Sequence, residues 1–306
     1  MNETLHDRVV SLRRQLKNGV TPAMATPLAA DGYRVNTAVL PSLVNFLLAS
    51  GVKGLFVGGT TGEGVLLEAP ERMRLHEAAV AAVAGRMPVL VHVGANQVAT
   101  AVALAEHAAG LGVEGLAAVT PFFYPIDDEG LVRYYQAIAA AAPHTPLLLY
   151  DIPQLAVNGI TPALLPYLAE AVPTLAGMKT SRPDVQFVRQ LMEVTPEPLI
   201  ILAGNESAAL GLLALGAHGL ISGLSTAVPE PFVALTDAFA AGDMAEARRQ
   251  QYIINRMLAL LPGKARIGAI KSILAERGIA AGPAMPPRST PNASLWPALR
   301  SVMAES

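Results

Sequence analysis

Cysteine is absent from the 306 residues, which excludes disulfides, thiolate metal sites and thiol nucleophiles. Charge is scarce, at 15% of residues with a net charge of −2, so no general basic field exists to hold nucleic acid or an anionic membrane. The histidines are scattered at 6, 76, 92, 107, 144 and 218, without the paired spacing of a metal site. No Walker-type phosphate loop is present. Residues 1–17 carry charges throughout and lack the apolar run of a secretory signal, which makes the cytosol the expected compartment. Lysine occurs only at 17, 53, 179, 264 and 271, and that scarcity later singles out one amine.

Hydrophobic residues make up 52% of the chain, ample for a sizeable core. They fall in short apolar runs that alternate with longer Ala/Leu-rich stretches. Strands are expected at 19–25, 54–58, 88–93, 115–120, 146–150, 175–179, 199–203 and 219–222. These runs are continuous, as in parallel strands buried on both faces. Helices are expected between them, at 37–50, 70–84, 98–111, 128–142 and 183–194, with a short one at Leu5–Leu16. The uncharged stretch 207–229 is long enough to cross a bilayer, but its glycines and His218 favour a buried helix, a turn and a buried strand. Eight strand–helix units predict an α/β fold, a (β/α)8 TIM barrel over residues 1–241. A doubly wound sheet is the alternative, although no Gly-x-Gly-x-x-Gly follows the first strand. Helices at 231–241, 244–260, 265–277 and 294–303 come next. The first closes the barrel, and 242–306 form an appended C-terminal segment packed on it, with a proline-rich link at 282–291.

Catalytic groups of such a barrel belong at the C-terminal ends of its strands. Lys179 is the one lysine that follows an apolar strand there, whereas Lys17 and Lys53 belong at the opposite end and Lys264 and Lys271 in the appended helices. Burial disfavours an ammonium, and a neutral amine condenses with a ketone to an imine, an electron sink for making or breaking a C–C bond. The bland alternative is a lysine paired with a carboxylate such as Glu206. Gly59-Thr60-Thr61-Gly62 offers amides and hydroxyls suited to a carboxylate, or is merely a turn. Tyr150 can shuttle a proton if Thr60 holds its hydroxyl, or it packs by its ring alone. His92 reads as a satisfied core residue.

Taken together, Gly59-Thr60-Thr61-Gly62-Glu63, Tyr150-x-x-Pro153 and Gly177-Met178-Lys179-Thr180-Ser181 resemble the dihydrodipicolinate synthase / N-acetylneuraminate lyase family. The stretches 119–125 and 216–222 resemble it too, and the likeness runs from Gly19 onward. The resemblance implies an imine-forming Lys179, a catalytic Tyr150, and Thr60 and Thr61 on the 2-oxo acid carboxylate, with Thr60 also in the proton relay. It places the Ile221 backbone beside bound pyruvate and gives Glu63 a supporting role. No metal, no organic cofactor and a homotetramer are implied. Ser181, Asn205 and Glu206 are candidates for substrate hydroxyls.

Departures narrow the reaction. Synthases of the family carry an arginine for the second substrate's carboxylate where this chain has Leu155, and a leucine cannot replace a bidentate guanidinium. They carry a relay tyrosine where this chain has Phe123, with Tyr124 adjacent. The extra residue in Val157-Asn158-Gly159 alters the loop beside the substrate. The expected activity is cleavage of a 2-oxo-3-deoxy sugar acid, or a related 4-hydroxy-2-oxo acid, to pyruvate and an aldehyde. The alternatives are a dehydratase on a deoxy-oxo sugar acid, dihydrodipicolinate synthesis, a non-catalytic 2-oxo acid sensor, and a phosphate-binding barrel enzyme using 219–223.

Overall fold

The computed structural model describes residues 4–291 and 293–305. The first half of the chain runs α1 (Leu5–Leu16), β1 (Val20–Pro22), α2 (Leu40–Ala49), β2 (Leu55–Val57), α3 (Ala69–Val83), β3 (Val89–His92), α4 (Val98–Gly110), β4 (Gly115–Val119) and α5 (Asp128–Ala141). It continues with β5 (Leu147–Asp151), α6 (Pro153–Ala156), α7 (Leu164–Ala171), β6 (Leu175–Thr180), α8 (Val185–Val194), β7 (Ile200–Ala203), α9 (Ala209–Ala214) and β8 (Gly219–Ser222). Beyond the barrel strands lie α10 (Glu230–Ala241), α11 (Met244–Leu260), α12 (Arg266–Glu276) and α13 (Trp296–Ala304).

All eight strands are parallel, in the order β1-β8-β7-β6-β5-β4-β3-β2. The last seam closes through a parallel bridge between Ala23 and Phe56, where the Met24 N–H donates to the Phe56 carbonyl at 2.9 Å. This closure makes the (β/α)8 barrel and removes the doubly wound alternative. β1 is shorter than expected, although pairing runs on past Pro22, where the Ala23 N–H donates to the Ser222 carbonyl at 2.7 Å. A 3-10 turn, Thr37–Val39, leads into α2, because Pro41 cannot supply the α-type bond back to residue 37. The helix α7, absent from the expected set, completes the unit between β5 and β6. The uncharged stretch 207–229 divides among turns, α9 and β8. Among the described residues no helix is long and apolar enough to cross a membrane.

Strand side chains alternate between two cores. Leu55, Val57, Leu116, Leu149 and Met178 face the helical layer. Phe56, Leu90, Ala117, Leu148, Ala176 and Ile200 fill the barrel. Each such buried Val, Leu, Ile, Phe or Met side chain contributes about 1.5–3 kcal/mol. Leu12 and Leu16 of α1 join the interior group, so α1 plugs the N-terminal end of the barrel. A side chain that projects inward at the other end therefore meets a closed floor and an open mouth.

The pattern breaks once, in β6. Leu147 pairs with Leu175, but Leu148 pairs with Gly177, so Ala176 is an extra residue. Gly177 is required there, because a Cβ would lie 2.1 Å from the Ile200 carbonyl oxygen. The bulge inverts the parity of the remaining strand residues. Ala176 and Lys179 both face inward and Met178 faces outward; strict alternation from Ala176 would have sent Lys179 into the helical layer.

His76, on α3, is fully buried and neither ring nitrogen has a hydrogen-bond partner among the described residues. Burial pushes its pKa down to about 3, and Arg72 adds to the shift. The unfolded chain takes up this proton near pH 6.5, whereas the folded chain refuses it until about pH 3. Stability owed to neutral His76 is therefore complete above pH 6.5 and falls as the medium is acidified through that interval, by about 1.4 kcal/mol per pH unit. A His76→Leu variant should lose less stability than the parent between pH 7 and pH 5, read from denaturant midpoints at each pH. Equal losses would show that His76 does not titrate in this way.

Candidate active site

Lys179 lies near the C-terminal end of β6, opposite Tyr150 of β5 in register. It is inside the strand rather than after it. Only 4% of it is exposed, and its Nζ sits 4.1 Å from the Tyr150 ring centroid and 4.6 Å from that of Phe56. No carboxylate lies within ion-pair reach among the described residues. The pairing with Glu206 held open from the sequence does not occur, because the Glu206 carboxylate is bound by Arg266, the Ser222 hydroxyl at 2.7 Å and the Leu224 amide at 2.8 Å. Tyr150 is held on three sides. Phe56 and His92 meet its ring edge-on with centroids 5.7 Å away, and its hydroxyl lies 2.8 Å from Thr60 Oγ1. An amine, a phenol and a hydroxyl thus converge at one mouth, from β6, β5 and the β2 loop.

This trio lines a cavity of about 550 Å³. Thr61, Ser181, Asn205, Glu206, Ile221 and Leu155 line it as well. Gly204 makes room for the amine: a Cβ there would approach Ser181 Oγ to 2.3 Å and Lys179 Cε to 3.1 Å. Asn205 is partly engaged, accepting from the Ser207 hydroxyl at 2.8 Å. Glu206 borders the cavity with its carboxylate already saturated, so it presents its Arg266 partner to a ligand more than a free acceptor. Leu155 is 62% exposed on α6 and stands at the rim. Among the described residues no group of three or more histidine and carboxylate side chains is placed to hold a metal ion.

Several residues that shape the site were not singled out from the sequence. Asp151 is fully buried and accepts from Arg182 at 2.7 Å, the Thr180 hydroxyl at 2.8 Å and the Ile160 amide at 2.9 Å. Arg182 also stacks on Phe187. The pair braces the ends of β5 and β6, hence Tyr150 against Lys179. Asn158 donates to the carbonyls of Pro121 and Tyr124 at 2.6 and 2.8 Å and accepts from the Ile126 amide at 2.8 Å. It ties the loop after β4 to the loop after β5. Phe123 and Tyr124 are 72% and 68% exposed and meet edge to face. Neither lines the cavity, so within one chain neither supplies a second phenol to Tyr150.

Glu63 shows how the C-terminal helical segment reaches the loop after β2. It takes a left-handed conformation, φ 56, which is uncommon for a residue with a side chain. Its carboxylate accepts from Lys271 Nζ at 2.6 Å and from the Met285 amide at 2.8 Å. Both side chains of the pair are fully buried, and burial lowers the Lys271 pKa against the opposing pull of Glu63. Breaking such a pair from one side strands a charge at a cost of about 3–5 kcal/mol. A Lys271→Met variant should lose stability on that order in chemical denaturation, and adding Glu63→Gln should restore part of it. A loss below about 1 kcal/mol would mean that the pair is dispensable.

The imidazole of His92 closes one side of the Tyr150 environment. Burial holds its pKa well below the ordinary value, with Arg72 reinforcing the shift. The Val119 amide donates to Nε2 at 3.3 Å, and Nδ1 lies 3.0 Å from the Gly58 carbonyl. A neutral ring protonated at Nδ1 satisfies both contacts. It is a satisfied core histidine that also borders a cavity.

Residues 16–304 match the model of the dihydrodipicolinate synthetase family. An uncharacterized DapA-like lyase of Halobacterium salinarum is 37% identical over 88% of each chain. An N-acetylneuraminate lyase of Mediterraneibacter gnavus is 31% identical over 78% of this chain and 76% of its own length. Among solved structures, the wild-type sialic acid aldolase of Ruminococcus gnavus superposes with a TM-score of 0.88 at 28% identity, covering 95% of this chain and 96% of its own.

Proposed function

Since this chain belongs to the dihydrodipicolinate synthetase family, we propose that it is a class I, pyruvate-dependent carbon–carbon lyase. It cleaves a 2-oxo-3-deoxy sugar acid, or a related 4-hydroxy-2-oxo acid, to pyruvate and an aldehyde. The observation that carries this reading is the Lys179 amine, buried in the barrel mouth without a carboxylate, beside a phenol that is hydrogen-bonded to Thr60.

The steps proposed here are those that this geometry supports. The Lys179 amine adds to the ketone of the 2-oxo acid, the hydroxyl leaves as water with the phenolic proton of Tyr150, and the protonated imine draws electrons toward C2. The Tyr150 oxygen removes the proton of the C4 hydroxyl as the C3–C4 bond breaks, with Thr60 fixing the phenol. The aldehyde departs, the enamine takes at C3 the proton that Tyr150 received, and water releases pyruvate from the lysine. The Thr60–Thr61 loop receives the carboxylate, and Ile221 borders the pyruvate. Ser181, Asn205 and the Glu206–Arg266 pair receive the polar tail. Leu155, in place of a carboxylate-gripping arginine, weighs against dihydrodipicolinate synthesis. The homotetramer is proposed from the family resemblance, and the adjacent exposed rings of Phe123 and Tyr124 are surface that a subunit interface would cover.

A panel of 2-oxo-3-deoxy acids screened for pyruvate release tests the reading. Release from at least one member, at a rate set by enzyme concentration, is expected. Imine formation with no release from any member would reduce the protein to a 2-oxo acid binder.

A further inference from the structure

Gly223 joins two parts of the cavity that are far apart in the chain. It follows Ser222, the last residue of β8, and borders the cavity. A Cβ on it would lie 2.6 Å from Thr61 Oγ1, so the backbone after β8 is the surface on which the Thr61 side chain rests. No hydrogen bond from another described residue fixes the Thr61 hydroxyl. Its place is set by packing, and its hydrogen-bonding capacity is left for a ligand.

The residues on either side of Gly223 are held by one carboxylate. Glu206 accepts from the Ser222 hydroxyl at 2.7 Å and from the Leu224 amide at 2.8 Å, both through Oε1. Its other oxygen is paired with Arg266, and its side chain is only 10% exposed. Its main-chain carbonyl accepts from Gln251 Nε2 of α11 at 3.0 Å. The Ser222 oxygen in turn accepts from the Ser225 amide at 3.0 Å, which closes the turn around Gly223.

We propose that Glu206 is a positioning residue for the pyruvate half of the site: by clamping Ser222 and Leu224 it holds Gly223 against Thr61, and so aims the Thr61 hydroxyl at the 2-oxo acid carboxylate. The inference rests on the Schiff-base reading above and adds to it a residue that acts without touching substrate. A carboxylate with both oxygens engaged would have to release a buried donor to receive a substrate hydroxyl, which is unfavourable. Arg266, which also borders the cavity, is the member of the pair that faces the tail. The clamp requires an acceptor at this point more than a charge. A hydroxyl and a backbone amide meet one oxygen from two sides, which fixes the turn in two directions. Without that oxygen both donors lose their partner, and the Gly223 peptide is free to drift away from Thr61. A displacement of about 1 Å in a positioning contact can cost on the order of a hundredfold.

The test titrates pyruvate against borohydride trapping, read by intact mass, so that half-saturation for the imine is measured without any aldehyde. Glu206→Ala should raise that concentration about tenfold, while the level trapped at saturation stays close to that of the parent. Glu206→Gln, which keeps an oxygen for Ser222 and Leu224, should recover most of the loss. Thr61→Val, which removes the hydroxyl and keeps the shape, should raise half-saturation by a similar factor. The double variant Glu206→Ala/Thr61→Val should be no worse than either alone, because both act on one contact. Ser222→Ala removes one of the two clamped donors and should fall between the parent and Glu206→Ala; it carries the test if Glu206→Ala does not fold. A residue that only contacts the tail, or only supports the fold, would leave the pyruvate titration unmoved. Half-saturation equal to that of the parent in the alanine variants, or Glu206→Ala and Thr61→Val effects that multiply, overturns the positioning role alone. Failure of the parent itself to trap pyruvate overturns the Schiff-base reading and this inference with it.

Discussion

Lys179→Ala is expected to abolish the borohydride-trapped pyruvate adduct and to cut carbon–carbon cleavage on the order of 10⁴-fold or more. The expectation is large because no other amine can substitute. Lys271 is buried but held by Glu63 and the Pro283 carbonyl. Lys17, Lys53 and Lys264 are exposed and do not line the cavity. The loss should come from chemistry and not from collapse. The Lys179 Nζ lies over two rings that also pack on each other, and water can fill the vacated space at an open mouth. A Lys179→Met variant, which keeps the stem, separates the two effects: it should melt like the parent and still fail to trap pyruvate. A full-strength adduct on either variant would place the imine elsewhere.

The geometry that makes this prediction was only partly legible in the sequence. The barrel was, because eight continuous apolar runs at regular spacing admit few architectures. Lys179 stood out because the chain has so few lysines and only one follows a strand at the catalytic end. Its inward direction was not legible. It depends on the bulge at Ala176 and Gly177, and so on how closely β7 approaches β6, which no local pattern reports. Glu206 shows the complementary limit. Its place after β7 was readable, but its partner Arg266 lies in the appended helices sixty positions on, so its saturation was invisible. Asp151–Arg182 and Glu63–Lys271 hid for the same reason. Buried ion pairs join residues distant in sequence, and either member alone looks like an ordinary charge.

Tyr150→Phe should lower kcat by about 10²–10⁴-fold while leaving the saturating level of trapped pyruvate close to that of the parent. The substitution removes one oxygen and little else. The ring keeps its edge-on contacts with Phe56 and His92 and the face it presents to Lys179. Thr60 loses its partner at 2.8 Å, but it is only half-buried and can turn to water, so no unsatisfied buried group results. What disappears is the acceptor for the C4 proton. The imine is made by the lysine, so pyruvate still loads at equilibrium. The bond that must break has lost its base. The two observables therefore separate binding from cleavage. A kcat within about threefold of the parent would assign the proton to another group. A parallel fall in trapped pyruvate would make Tyr150 a residue of imine formation and not of the cleavage step.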